Sequence, residues 1–259
     1  MLRPYCLIPA APQQQVSRFL LMPLVIAHRG ASAYAPENTL AAFDLAHRQG
    51  ADMIELDVQI SADGVLVVFH DATSERWDGR NRPVAQCSLT DLQALDIGGE
   101  RLPTLAETLD FARHCGIGLN VEIKVPGIGQ RCAAMLREFG MREQTIISSF
   151  LPSALREVRT ADPALRCGYL MGTRTYHPAT RLREFWPFFA LKYLDVQAWH
   201  PSCELPGLLP IIPLVRRAGY AVHVWTVDDP LLMQRLSAAG VSGIITNQPD
   251  VARTAMQHC

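Results

Sequence analysis

No two of the seven cysteines in this 259-residue chain are spaced Cys-x-x-Cys; they stand at 6, 87, 115, 132, 167, 203 and 259, odd in number and widely scattered. That excludes a cysteine zinc site and a redox dithiol, and it fits a reducing cytoplasmic setting in which the thiols are small buried apolar groups or idle. Surplus positive charge is also missing. The formal net charge is -1 and the pI is near 6.7, so there is no basic surface of the kind nucleic acid requires. No apolar stretch reaches the ~18 to 20 residues of a membrane span. Nor is there a basic amphipathic stretch or lipid anchor, so no stable membrane association is expected. Residues 18–27, followed by Ala31-Ser32-Ala33, mimic a signal peptide, but the run begins late, contains Pro23, and cleavage there would remove His28 and Arg29. Internal repeats and low-complexity tracts are absent.

What is present suits one large domain. The hydrophobic content is 49%, enough at this length for a sizeable core. Residues 1–20, with Pro4, Pro9, Pro12 and three consecutive glutamines, read as a loosely ordered leader, and residues 21–259 as a single domain. Short β-branched or apolar runs alternate with amphipathic stretches, the pattern of repeated βα units around a parallel sheet. Candidate strands are 24–28, 53–58, 65–70, 118–123, 145–149, 166–170, 193–198, 221–226 and 243–246. Helical segments fall near 38–49, 104–115, 130–139, 152–160, 180–189, 207–218 and 230–239. Nine strands are one more than a (β/α)8 barrel needs. The surplus strand is explained by the turn Ser61-Ala62-Asp63-Gly64, too short for a helix, which folds residues 54–60 and 65–69 into a hairpin. A turn centred near 62 and 63 places His70 opposite Glu55. Residues 71–102, with Trp77, Gly79, Pro83, Gly98, Gly99 and one short helical run, form an excursion over the barrel mouth.

Glu55 and Asp57 stand two apart on an apolar strand, so their side chains share one side of the backbone. Two carboxylates in that relation repel unless a cation lies between them. Glu122, in Leu119-Asn120-Val121-Glu122-Ile123-Lys124, offers a third oxygen, and the three together suit a divalent metal. His28 and His70 are then candidates for moving protons beside it. Arg29 follows His28 at a strand end, where a planar guanidinium can grip two phosphate oxygens. Lys124 shares a side with Glu122 and can pair with a phosphate. Glu37, ahead of the helix that begins near residue 40, either favours that helix's positive end or orients metal or substrate. Asn38 or Thr39 caps the same helix.

The segments HRGASAYAPENTLAAF, IELDVQISADGVLVVFHD, NVEIK, VHVWTVDDP and GIITNQPD resemble, in order and spacing, the glycerophosphodiester phosphodiesterase family, of the bacterial cytosolic type. The resemblance implies a TIM-type (β/α)8 barrel of the phospholipase C-like phosphodiesterase kind. It implies one divalent ion, Mg²⁺ or Ca²⁺, and hydrolysis of a small-molecule glycerophosphodiester to sn-glycerol 3-phosphate and an alcohol. By matching positions it implies His28 and His70 as the general acid/base pair, Glu55, Asp57 and Glu122 as metal ligands, and Arg29 and Lys124 as phosphate contacts. Trp225 matches the family's tryptophan near the substrate. The excursion departs from the family pattern, and Thr246-Asn247-Gln248-Pro249-Asp250 replaces the more usual Thr-Asp before the proline.

Three other readings compete. A metal-assisted lyase or aldolase would need a Schiff-base lysine or a carboxylate poised for carbon-acid chemistry, and the paired histidines argue against it. A lysophospholipase D would act on the same bond in a lipid. A non-catalytic barrel would not need the whole constellation. Either histidine can act first, and the attacking oxygen can be that of water or of the substrate's own glycerol hydroxyl.

Overall fold

The computed structural model describes residues 22–172 and 186–257; the leader at 1–20, most of the 180–189 helical segment, His177 and His258 lie outside them. The strands are β1 Leu24–His28, β2 Met53–Ile60, β3 Leu66–Val68, β4 Gly118–Ile123, β5 Thr145–Ser149, β6 Arg166–Met171, β7 Ala198–Pro201, β8 Ala221–Val224 and β9 Gly243–Thr246. All but β3 are parallel, and β1 pairs with both β9 and β2, which closes an eight-stranded barrel. Helices between the strands bury their apolar stripes against its outside. Leu105, Leu109 and Ala112 of the Leu105–Cys115 helix, for instance, are fully buried. That helix starts where Thr104 and Glu107 form a reciprocal capping box and stops at Gly116, whose φ of 68° suits a residue without a Cβ.

Inside the barrel, Ile26, Met53, Ile146 and Ile245 form an apolar plug. The excursion has a small core of its own, in which Val67 and Phe69 pack with Val84, Leu92, Ile97 and Leu102.

Three expectations need correction. The segment 193–198 is not a strand: Tyr193 and Leu194 end the helix Phe188–Leu194, Asp195 turns out of it at φ 52°, and the strand begins at Ala198. Its apolar run belongs to a helical face, since Ala190, Leu191 and Leu194 are the buried residues. A last helix, Pro249–Met256, closes the fold, with proline at its permissive first turn. Finally, the β2–β3 hairpin does form, but Val58 pairs with Val68, one residue away from the expected register. Continued, that register sets His70 across from Leu56; Phe69 N–H still donates to the Asp57 carbonyl at 2.8 Å, and His70, just beyond that bond, stands at the barrel mouth.

Candidate active site

Parallel register assembles the site. His28 pairs with Glu55 and Glu55 with Asn120, giving one row across β1, β2 and β4; Asp57 pairs with Glu122 and Glu122 with Ser148, giving a second row across β2, β4 and β5. Residues of alternate parity face the barrel interior, so both rows stack at its carboxyl end. One oxygen each from Glu55, Asp57 and Glu122 lies within 4.8 Å of the others, and all three residues are buried.

Two cations meet these three acids. Arg29 Nε is 3.2 Å from Asp57, and Lys124 Nζ is 3.2 Å from Asp57 and 2.8 Å from Glu122. Burial opposes ionisation of Asp57, but the Lys124 and Arg29 charges outweigh it and hold its carboxyl near 2. Burial and then Asp57 push Glu122 up to about 7 despite Lys124. Glu55, raised by burial and by both neighbouring acids, stands well above the usual carboxylate range. Two of the three acids therefore gain from a further cation, and an all-oxygen donor set is what a hard divalent ion takes.

Arg29 occupies the left-handed region, with φ 56°, a costly conformation for a side-chain-bearing residue. Its N–H donates to Glu55 Oε2 at 3.0 Å and its carbonyl accepts from Asn38 N–H at 3.0 Å, which together hold the turn. Gly30 follows at φ 84°, where a Cβ would lie 2.7 Å from Ala42. Only glycine lets the Leu40–Arg48 helix approach this closely.

A cavity of about 130 Å³ opens over the acids, lined by His28, Arg29, Glu55, His70, Glu122, Lys124 and Trp225 and closed on its apolar side by Phe150, Leu170 and Ile245. Trp225 packs edge-on against Phe150 and donates its indole N–H to the His200 carbonyl at 2.8 Å, which fixes the ring as a wall. His70 Nδ1 lies 2.9 Å from Asp71 Oδ1. His28 Nδ1 lies 2.7 Å from Asn247 Oδ1, and its Nε2 lies 4.0 Å from Glu55. Burial, then the Arg29 charge, pulls the His28 imidazole down to about 4, so it is neutral near pH 7. Glu37 stands outside the cavity; its carboxylate holds Arg29 at 3.1 Å and also pairs with Arg76, which in turn reaches Asp71. Asp57 lies beneath the cavity lining and faces it through Glu122 and Lys124.

Several contributors escaped sequence reasoning. Asn38, read as a possible cap, leaves that role to Thr39 and at φ 57° turns its amide N–H onto Asp57 Oδ2 at 2.8 Å. Asn120 and Ser148 line the cavity with buried polar atoms that have no hydrogen-bond partner among the described residues. Strand parity signals both, since each lies an even number of residues from an inward-facing neighbour. His200 and His223 are buried in the barrel interior, 3.1 Å apart, with His200 packed over Gly168.

A model of the glycerophosphoryl diester phosphodiesterase family matches residues 28–251. The chain belongs to that family. It is 37% identical over 241 residues to a glycerophosphodiester phosphodiesterase of Caldanaerobacter subterraneus subsp. tengcongensis, covering 88% of this chain and 95% of the relative. A Bacillus subtilis glycerophosphodiester phosphodiesterase is 30% identical over 254 residues, covering 88% and 84%. Among solved structures, an Oleispira antarctica phosphodiesterase in complex with its product sn-glycerol-3-phosphate superposes with a TM-score of 0.78 at 29% identity, covering 91% of this chain and 97% of that one. An Agrobacterium tumefaciens glycerophosphodiester phosphodiesterase gives the same score and identity, covering 91% and 100%. Membership of the family makes the chain an enzyme of glycerophosphodiester hydrolysis, and the acidic group in its cavity is one able to hold a metal ion.

Proposed function

We propose that this enzyme binds one Mg²⁺ or Ca²⁺ ion through Glu55, Asp57 and Glu122 and cleaves soluble glycerophosphodiesters by proton transfer between His28 and His70. The observation that carries the reading is the convergence of three buried carboxylates beside two histidines and two cations at one cavity. A divalent ion bound there would supply positive charge to the phosphoryl oxygens and to the developing charge on them.

The chain's own residues do the rest. The Arg29 guanidinium, already fixed by Glu37 and Asp57, presents its remaining N–H groups to a phosphate oxygen, and Lys124 stands ready beside it once its acids are shared. One histidine takes the proton of the attacking oxygen as the new P–O bond forms; the other protonates the departing alcohol oxygen as the old P–O bond breaks. One water is consumed overall, the products are sn-glycerol 3-phosphate and an alcohol, and the two imidazoles exchange protons with solvent to reset. Phe150, Leu170 and Trp225 limit water on the other side of the cavity.

The continuous closed sheet supports a single catalytic domain over the described residues, with the excursion as part of its mouth. Free Cys87, Cys115, Cys132, Cys167 and Cys203 support a cytoplasmic location. Among the described residues no helix is long and apolar enough to cross a membrane. The deciding experiment is turnover of a panel of glycerophosphodiesters and lysophospholipids, with and without chelator. Release of sn-glycerol 3-phosphate from soluble diesters, lost with chelator and regained with Mg²⁺ or Ca²⁺, is expected; chelator-resistant turnover would refute the metal reading.

A further inference from the structure

We propose that Asp228 and Asn247 form a positioning relay that holds His28 in the tautomer with a proton on Nδ1 and a lone pair on Nε2, which makes His28 the group that accepts the proton of the attacking oxygen. The inference deepens the acid/base reading above and rests on it.

The argument is one of donors and acceptors. Asp228 follows β8, Asn247 follows β9, and His28 ends β1, so the β1–β9 pairing that closes the barrel also brings the three together. The Asp228 carboxylate is fixed at both oxygens. Oδ1 accepts from the Thr246 hydroxyl and from the Asn247 backbone N–H, each at 2.8 Å, and Oδ2 faces the Asn247 side-chain amide at 2.6 Å. A carboxylate only accepts, so the amide must turn its NH2 to Asp228 and its Oδ1 to His28. That oxygen lies 2.7 Å from His28 Nδ1, and an amide oxygen also only accepts. His28 must therefore donate from Nδ1, and its lone pair is left on Nε2, on the Glu55 side of the cavity. The Ser32 hydroxyl lies 2.8 Å from the same Asn247 Oδ1 and 2.7 Å from the His28 carbonyl, so it stands between the two. His70 has a different partner, the Asp71 carboxylate itself, at 2.9 Å from its Nδ1.

Asp228 is not among the residues lining the cavity of about 130 Å³, though it borders an adjoining cleft with His28 and Arg29, and its hydrogen-bonded link to His28 runs through Asn247. The arrangement makes a swap test possible. In Asp228→Asn the new amide can present its NH2 where Oδ2 stood, two donors then face each other, and Asn247 must flip, which turns an N–H towards His28 and forces the other tautomer. In the double variant Asp228→Asn/Asn247→Asp, the amide at 228 donates to the carboxylate at 247, which again accepts from His28 Nδ1.

The metal-loaded full-length enzyme with glycerophosphocholine as substrate is the system to use. Asp228→Asn is expected to lower kcat by about 10²-fold, the lower range of a general acid/base contribution, with KM within about twofold of the native value. The double variant is expected to regain most of kcat. Independently of turnover, ¹⁵N-histidine spectra of the native enzyme, with His28 assigned by comparison with His28→Gln, should show Nδ1 protonated and Nε2 not. An unchanged kcat in Asp228→Asn, a double variant no faster than that single one, or a His28 protonated on Nε2 would each overturn the relay while leaving the His28/His70 reading in place. Full turnover in His28→Gln would overturn both.

Discussion

Glu122 gives the sharpest quantitative test of whether the acidic group is built for a cation. In the metal-free protein its carboxyl is pushed from 4.5 to about 7 by burial and by Asp57. Between those values the folded protein holds a proton that the unfolded chain has released, so this group's contribution to stability falls as pH rises through the window. Such a shift corresponds to roughly 3 kcal/mol by linkage. Glu122→Gln cannot ionise and lacks the effect. It also removes part of the charge that raises Glu55, which flattens the variant further.

Urea denaturation of both proteins in chelator at pH 5 and pH 8 should therefore show native stability falling relative to the variant by up to about 3 kcal/mol, or roughly 6 to 12 °C in Tm. Saturating Mg²⁺ or Ca²⁺ should then restore the native protein at pH 8, by about 2.7 kcal/mol at a hundred times Kd, and the variant much less. A difference that stays constant across this pH range, or equal stabilisation of both proteins by the ion, would refute the reasoning.

Other outcomes follow from the same geometry. His70→Ala should keep metal affinity, measured by calorimetry, yet lose about 10² to 10⁴ in kcat, since its hydrogen-bond partner is Asp71 and it is not one of the three ligands; near-native turnover would reject its role. Gly168→Ala would set a Cβ 2.5 Å from His200 Nε2, deep in the barrel, and overpacking of this kind costs about 1 to 3 kcal/mol, read as an earlier denaturation midpoint. Thr104→Val removes the hydroxyl that caps the Leu105–Cys115 helix and should cost about 1 kcal/mol by the same measurement, with kcat unchanged because the cap lies outside the cavity lining.

Much of this was legible along the chain because it depends on short-range geometry. A period of two puts Glu55 and Asp57 on one side whatever they later meet, and a strand end is where a barrel exposes His28 and Arg29. Capping chemistry narrows the start of the Leu40–Arg48 helix to Asn38 or Thr39 from a few neighbours alone. The displaced β7 shows the limit of such reading: Tyr193 and Leu194 are apolar and fit either a strand or a helical face, and only packing against the barrel chooses the helix.

Closure of the sheet decided the rest. Parallel register, a property of two strands and not of one, places Asn120 beside Glu55 and Ser148 beside Glu122. It likewise brings Asn247 and Asp228 to His28 across two hundred residues or more, turning a sequence departure of little apparent weight into the support of an imidazole. Burial, which no local pattern reports, drives Glu122 up and His28 down, and sends His200 and His223 into the interior. The chain alone thus determined which chemical groups are available and on which side of each strand they stand; the folded barrel determined which of them meet, how they are oriented and what charge they carry, because those depend on contacts and desolvation that exist only once the first and last strands are joined.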